Sequence, residues 1–435
     1  MGYAEYLNAL SKPYRKLVKL EFLQPDETVA FALGGRDQKV SVGGRDTRAF
    51  LQGGSLTVTL QNGQRRRASV TLSNLDGSFD YAVNKLWFGQ RLRLSMGMTL
   101  PDGSDIWFPM GVFYAENPTA LYAPSEKTST LSLVDKWAYL DGTLFGNLEA
   151  SYVISRGTVI WTAIEAILRL GRTSYIAESD PCKQIDPAPA YYTEYYIDKL
   201  YDVVGSDGSI TEHNWNSLLT PYTITEERGS SLGALILRLA DVVAASVGYD
   251  CAGMFRADPS QDNISDADKP VLYDFSLNEA QLLSISENSQ NTAVYNDVTV
   301  AGEGLTTGSV SHTIWARAVN DDPSSPTNIN LIGRKVYTED NPDYFHVDQC
   351  ASLARWILKR KTVLQKSVTI ECSQMFHLRE NDLVAVRRTD KPGSPVEKHL
   401  IQGFSIPIDE TGAMTINCVS VNDIPDFTIT TSVGE

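Results

Sequence analysis

Short runs in which apolar and polar residues alternate dominate the first third of this sequence, and each is cut by a turn rich in Gly, Asn or Asp. SLTVTL (55–60), ASVTLS (68–73), RLRLSM (91–96) and TLSLVD (130–135) repeat with a period of two. Between and around them, GGRD at 34–37 and again at 43–46, QNGQ at 61–64, LDGS at 75–78 and PDGS at 101–104 supply the positive φ or Asx turn that a hairpin needs. From Leu17 to about Asp141 the chain is therefore expected to fold as a barrel or sandwich of short strands.

The pattern changes after Tyr152. In TVIWTAIEAILRLG, Ile160, Ile164, Ile167 and Leu168 fall at helical spacing, with Thr158 placed to cap the start and Gly171 just past the end. A second helix is expected from Ser231 to about Val247, where Leu232, Leu235, Ile236, Leu239, Val242 and Val243 form an apolar stripe and Gly248 supplies the stop. The acidic, tyrosine-rich segment 173–228 between them yields no assignment. Residues 257–270 read as an exposed loop. Strands return at 293–302, a helix is expected near 347–361 with Ala351, Ala354, Ile357 and Leu358 inward, and strands follow at 367–372, 383–388 and 415–421. The fold class is mainly β with α+β character. Residues 1–150 and 286–435 are expected to form two β-barrel domains, separated by a mixed α/β domain at 151–285; 435 residues suit three units of about 150.

The two β regions share more than class. Ser69-Val70-Thr71-Leu72 answers Ser367-Val368-Thr369-Ile370, Gly89 answers Asn381, Leu92 and Leu94 answer Val384 and Val386, and Gly111 answers Gly403. If this repeat is real, three chains around an axis present six similar units, which lets a trimer dock on a hexameric ring.

With 42 % hydrophobic and 21 % charged residues, the chain has ample apolar surface to bury. Asp and Glu outnumber Lys and Arg by 53 to 38, a net charge of -15, which argues against a nucleic-acid binder or an anionic membrane surface. Five scattered cysteines without a CxxC pair fit a reducing compartment and indicate neither a disulfide framework nor a zinc site. Lys16 and Lys19 interrupt any signal-peptide core, and Tyr6 stands where myristoylation wants Ser or Thr. The most apolar stretches, 158–170 and 231–248, carry Glu165, Arg169, Arg238 and Asp241, so no membrane span is expected.

Few motifs carry chemistry. Gly229-Ser230-Ser231-Leu232-Gly233 matches the G-x-S-x-G nucleophile elbow, which would make Ser231 a nucleophile. The preceding YTITEER is too polar for the buried strand an elbow follows, so Ser230 or Ser231 is read as a helix cap. His312, His346, His377 and His399 are scattered. Asp258, Asp262, Asp266 and Asp268 could gather oxygens for calcium but lack the Gly and terminal Glu of an EF-hand loop, and read as solvated. Arg65-Arg66-Arg67, the sole basic cluster, is expected on an exposed turn or at a subunit salt bridge. No catalytic, cofactor or metal site is assigned.

The ordering of RASVTLSNLDGSFDY (67–81), FGQRLRLSMG (88–97), FPMGVFYAENP (108–118) and TLSLVDKWAYLDG (130–142) resembles the baseplate or tail-tip hub proteins of tailed bacteriophages and related contractile injection systems. GRKVYTEDNPDYFHVDQCASLARWILKRK followed by KSVTIECSQMFHLRENDLVAVRR is similar to the hub pattern of a helix leading into a second barrel. The resemblance covers roughly 15–150 and 290–425. It implies a non-enzymatic structural subunit of the virion tail, assembled in the host bacterial cytoplasm. Such a subunit forms a trimer that joins the tail tube or distal adaptor ring to a central spike or fibre, around a channel that DNA crosses without specific binding. It also implies that the spike or receptor-binding piece is a separate chain, since little sequence follows the second barrel. The alternatives are a hexameric distal adaptor, a tail-associated hydrolase using Ser231 or a carboxylate pair, and a glycan-binding module using Tyr191, Tyr192, Tyr195 and Tyr196.

Overall fold

A computed structural model describes residues 2–434 except 25–27, 36–39, 43–44, 48, 78, 80–88, 117, 124–125, 171–199, 205–209, 215–218, 221, 243–244, 260–269, 278, 290–293, 304–312, 343, 345–346, 363–365, 389–392, 410 and 422–428. After an opening helix, α1 (Gly2–Leu10), come β1 (Lys16–Leu23), β2 (Val29–Leu33), the small hairpin β3 (Val40–Val42) and β4 (Arg45–Thr47), β5 (Leu51–Thr59), β6 (Arg66–Ser73), β7 (Arg91–Thr99), β8 (Asp105–Ala115), β9 (Thr119–Ala123) and β10 (Glu126–Asp135). All four alternating runs lie on strands. Their apolar residues, among them Leu56, Val58, Val70, Leu72, Leu92, Leu94, Leu131 and Leu133, are buried because a period of two sends them all to one face. The LDGS turn is built around buried Asn74. Its carbonyl accepts from the Gly77 N–H, its Oδ1 accepts from the Phe79 N–H at 2.9 Å, and Phe79 is thereby led into the core.

The middle of the chain contains β11 (Tyr152–Ile154), α2 (Ile160–Leu170), β12 (Leu200–Val204), β13 (Ile210–Asn214), β14 (Ile224–Glu226), α3 (Leu232–Val242), β15 (Ala245–Tyr249) and β16 (Phe255–Pro259). Ile160, Ile164, Ile167 and Leu168 pack against Leu232, Leu235, Ile236 and Leu239 in a core of their own. Three local expectations are corrected. The Thr158 hydroxyl donates back to the Ser155 carbonyl at 2.7 Å instead of capping α2. The second helix ends at Val242, and Gly248 lies inside β15, where a Cβ would come within 2.4 Å of the Arg65 Nε. Asp258 belongs to strand β16, paired with Ser246, so the exposed loop does not begin at 257. Gly171, Val243, Asp262, Asp266, Asp268 and the four tyrosines lie outside the described residues.

The second half runs through β17 (Val271–Asp274), β18 (Leu282–Ser289), β19 (Asp297–Glu303), β20 (Thr313–Asn320), the short α4 (Ile329–Ile332), β21 (Val336–Asp340), α5 (Val347–Thr362), β22 (Lys366–Cys372), β23 (Leu383–Arg387), β24 (Val396–Pro407), β25 (Met414–Ser420) and β26 (Ile429–Gly434). Strands β21, β19, β20 and β26, in that order, form a separate sheet backed by α5, whose Ala351, Ala354, Ile357 and Leu358 face inward. Its anchor is Asp297, fully buried, which accepts from Arg317 at 2.7 and 2.6 Å and also from Arg334.

Most of the remaining strands join one large sheet of fourteen, and its order answers the question of the repeat. The first half reads β5-β6-β10-β8-β7-β1, and the second reads β18-β22-β25-β24-β23-β17. Corresponding neighbours pair antiparallel throughout, save that β17 lies parallel to β23. Gly89 and Asn381, matched in sequence, both have positive φ (65° and 69°) immediately before β7 and β23. The match of Gly111 with Gly403 does not survive. β25 pairs along one continuous β24, whereas β10 pairs with β8 at one end and β9 at the other, so the last part of β24, with Gly403, answers β9. The halves, distant in sequence, meet where β24 pairs antiparallel with β5, Phe404 opposite Val58 and Ile406 opposite Leu56. The described strands form an open path from β18 to β2, in which neither half closes on itself as a barrel.

At this meeting point a Cβ on Gly403 would stand 2.5 Å from the Val58 carbonyl oxygen. Gly403→Ala is therefore expected to lower stability by about 1–3 kcal/mol in urea denaturation, the cost of overpacking. Gly35→Ala, with nothing within 4 Å, should leave the midpoint unchanged.

Candidate functional site: the seam between the two halves

Beside the β5–β24 pairing lies the strongest concentration of buried charge in the described structure. Arg66 on β6, 2 % exposed, forks onto Glu380 through its Nη2 at 2.7 and 2.5 Å and gives Nη1 to the Met110 carbonyl at 3.1 Å. The turn before β23 holds Glu380 in place, because Asp382 accepts from the Arg379 N–H at 2.8 Å. On the first half, the Asp135 carboxylate accepts from three backbone N–H groups, Arg65 at 2.8 Å, Arg66 at 2.9 Å and Trp137 at 3.0 Å, so one side chain ends β10 and fixes the start of β6. Arg65 reaches the middle of the chain, with Nη2 donating to the Ser246 Oγ at 2.9 Å. The middle strand β15 also receives the β5–β6 turn, since the Gly63 N–H donates to Val247 O at 2.9 Å and Asn62 Oδ1 accepts the Val247 N–H at 3.1 Å.

The rest of the seam is stitched by neutral groups and one lysine. From α1, Tyr6 accepts the Phe376 N–H at 2.9 Å, and its hydroxyl meets the His377 Nδ1 at 3.0 Å. Burial pushes His377 down to about 3, so the imidazole is neutral at physiological pH. Tyr14 donates to Gln374 O, and Lys16 donates to the carbonyls of Pro407 at 2.6 Å and Asp409 at 2.7 Å. A single apolar core runs beneath, from Leu56, Val58 and Leu72 on one side to Ile370, Phe404 and Ile406 on the other.

The arginine cluster is thus corrected: Arg65 and Arg66 are buried and tie parts of one chain together, and only Arg67 faces solvent, on Gln64. Sequence reasoning missed Glu380, Asp135 and Asp382 because carboxylates are abundant and nothing local marks which are buried. Ser231 Oγ accepts the Ala234 N–H at 3.1 Å at the start of α3. Gly229 (φ 91°) makes the preceding turn, and Gly233 leaves room for the Leu140 carbonyl, where a Cβ would approach to 3.2 Å. Helix-start geometry therefore accounts for every fixed position of G-x-S-x-G. His399 is buried in β24, 3.9 Å from Glu397, while His312 and His346 lie outside the described residues. Among the described residues no group of three or more His, Cys, Asp or Glu is placed to hold a metal, and no helix is long and apolar enough to cross a membrane.

Most of the chain superposes on known structures. A tail protein from Neisseria meningitidis MC58 matches over 94 % of this chain and 97 % of its own, with a TM-score of 0.55 at 10 % identity. The chain has the fold of this tail protein. A second tail-fold structure, the 43 kDa tail protein of prophage MuSo2 from Shewanella oneidensis, matches 94 % of this chain and all of its own, with a TM-score of 0.50 at 13 % identity. No family model matches the sequence, and no curated protein is significantly similar to it.

The charges in the seam of this tail fold are unequal in kind. Glu380 loses solvent on burial, yet Arg66 beside it, with help from Arg65, holds its carboxyl below the usual range. Burial pushes Asp382 well above its ordinary value and Asp135 up to about 6, the N–H donors only partly offsetting the loss of water. Glu380→Ala leaves Arg66 buried and unpaired and is expected to cost about 3–5 kcal/mol by chemical denaturation, whereas Arg67→Ala should stay within about 0.5 kcal/mol. Asp135 holds its proton more tightly in the folded chain, so its stabilising contribution is full below 3.8 and is lost as pH rises through about 6. Relative to Asp135→Asn, the wild type should gain about 3 kcal/mol in urea denaturation as pH falls from about 7 to about 3.5.

Proposed function

We propose that this chain is a non-enzymatic hub subunit of a bacteriophage tail tip or baseplate, working as a trimer in the virion tail and assembled in the host bacterial cytoplasm. The observation that carries the reading is the duplicated strand order within one chain of tail-protein fold. Two equivalent units fused edge to edge give three chains six similar faces, which suits a protein placed between a sixfold ring and a threefold spike. Strands β1–β10 supply one unit and β17, β18 and β22–β25 the other, so the second unit begins by Val271 rather than at 286, and the elements between β10 and β17 lie against the seam. The partners are a distal adaptor ring or tail-tube protein on one side and a central spike or fibre on the other. If DNA crosses the axis, the net charge of -15 keeps phosphates from sticking to the wall.

Static light scattering on the purified chain should return three times 48.0 kDa, while six times 48.0 kDa would transfer the reading to a hexameric adaptor ring. Ser231→Ala removes a helix cap and is expected to cost about 1 kcal/mol of stability. Its behaviour in esterase and cell-wall digestion screens should match the wild type; a selective loss of hydrolysis would overturn the non-enzymatic reading.

A further inference from the structure

One residue of α1 touches both halves of the sheet. The Tyr6 ring lies against Phe108 of β8, with centroids 4.7 Å apart, and its hydroxyl reaches the loop between β22 and β23, where it accepts the Phe376 N–H and meets the His377 Nδ1. Tyr6, Ala9 and Leu10 are buried, and Glu5 and Asn8 face solvent. Residues 11–15 join the helix to β1, and along them Tyr14 donates to the Gln374 carbonyl of the same loop. A nine-residue helix is marginal in water on its own, so α1 keeps its shape only while it is docked.

His377 is buried against this helix, with the Tyr6 ring edge-on at 5.3 Å and Tyr273 of β17 at 5.9 Å between centroids. Cys372, at the end of β22, lies near Tyr273 and Tyr14, and burial pushes all three up to about 12, so they stay neutral in acid. Further along the loop, Arg379, Glu380 and Asp382 belong to the Arg66 cluster. Among the described groups that meet α1 from the second half, the imidazole is therefore the one that gains charge in mild acid. A buried cation has lost its hydration, and removing the helix gives that hydration back. Docked His377 binds its proton more weakly than a solvated histidine. Docking is thus at full strength above 6.5 and weakens, by up to about tenfold for each pH unit, as pH falls toward about 3.

We propose that α1 is an acid-released strap: protonation of His377 frees the helix from the second half, while the β5–β24 seam stays closed. The seam has its own hold, in Phe404 and Ile406 opposite Val58 and Leu56 and in the Arg66–Glu380 pair, so the opening is local. The strap needs no partner chain and is independent of the hub reading above.

Amide hydrogen exchange of the full-length chain, read by mass spectrometry and corrected for the intrinsic effect of pH, tests it. Protection of residues 6–10 should fall by up to about 70-fold between about pH 6 and about pH 4, while that of β7 is kept. His377→Asn retains an amide that can meet the Tyr6 hydroxyl but cannot titrate, and its protection should not change over the same span. As a second variant, Tyr6→Phe keeps the ring and removes both hydrogen bonds, and should lower the protection of residues 7–10 throughout and move release to higher pH. Wild-type protection that ignores pH, a slope that survives His377→Asn, or loss of protection in β7 together with α1 would each overturn the strap. So would a Tyr6→Phe chain whose α1 is as well protected as the wild type's.

Discussion

Antiparallel pairing of β5 with β24 holds the two ends of the chain in one sheet, and the rest of the molecule is arranged around it. The pairing consumes two edges that would otherwise be open and makes the apolar layers of both halves continuous, from Leu56 and Val58 to Phe404 and Ile406. Closing so long a loop costs chain entropy that grows only slowly with its length, so burial of these four side chains readily offsets the added length. Strand pairings of such sequence separation are intrinsically slow to form.

Buried charge decides how the halves meet. The Arg66 Nη2 reaches both oxygens of Glu380 across the seam between β6 and the turn before β23, and Asp135 fixes the arginine's strand by drawing the N–H groups of Arg65 and Arg66 to the end of β10. An apolar pair of the same volume would hold such a seam as well or better, because ions lose much on leaving water. Apolar packing, however, tolerates sliding, and an arginine fork does not. The apolar core beneath provides the stability.

Local signals in the sequence carried the elements well and their partners poorly. The alternating runs became β5, β6, β7 and β10, the residues matched as a repeat fell on β6 with β22 and β7 with β23, and the helix near 347–361 became α5. Each rests on a period of two or 3.6 that needs no distant partner. The failures came where a distant contact overrode a local cue. Gly248 looked like a helix stop but serves a close approach to Arg65, and the arginine run looked solvated because its carboxylate partners lie far away in sequence. Helix α1 went unnoticed because its role depends on Phe376 and His377 at the other end of the chain.

The sequence by itself determined that the chain is mainly β, that its two β regions use the same strand pattern, and that its one catalytic-looking motif begins a helix. All three follow from short-range stereochemistry: alternation, positive φ at turns, and capping of free N–H groups. Only the tertiary structure decided that the halves are one sheet, which charges are buried between them, and which of the described strands end it. Those outcomes depend on which surfaces exclude water from each other, and a chain carries no local record of that.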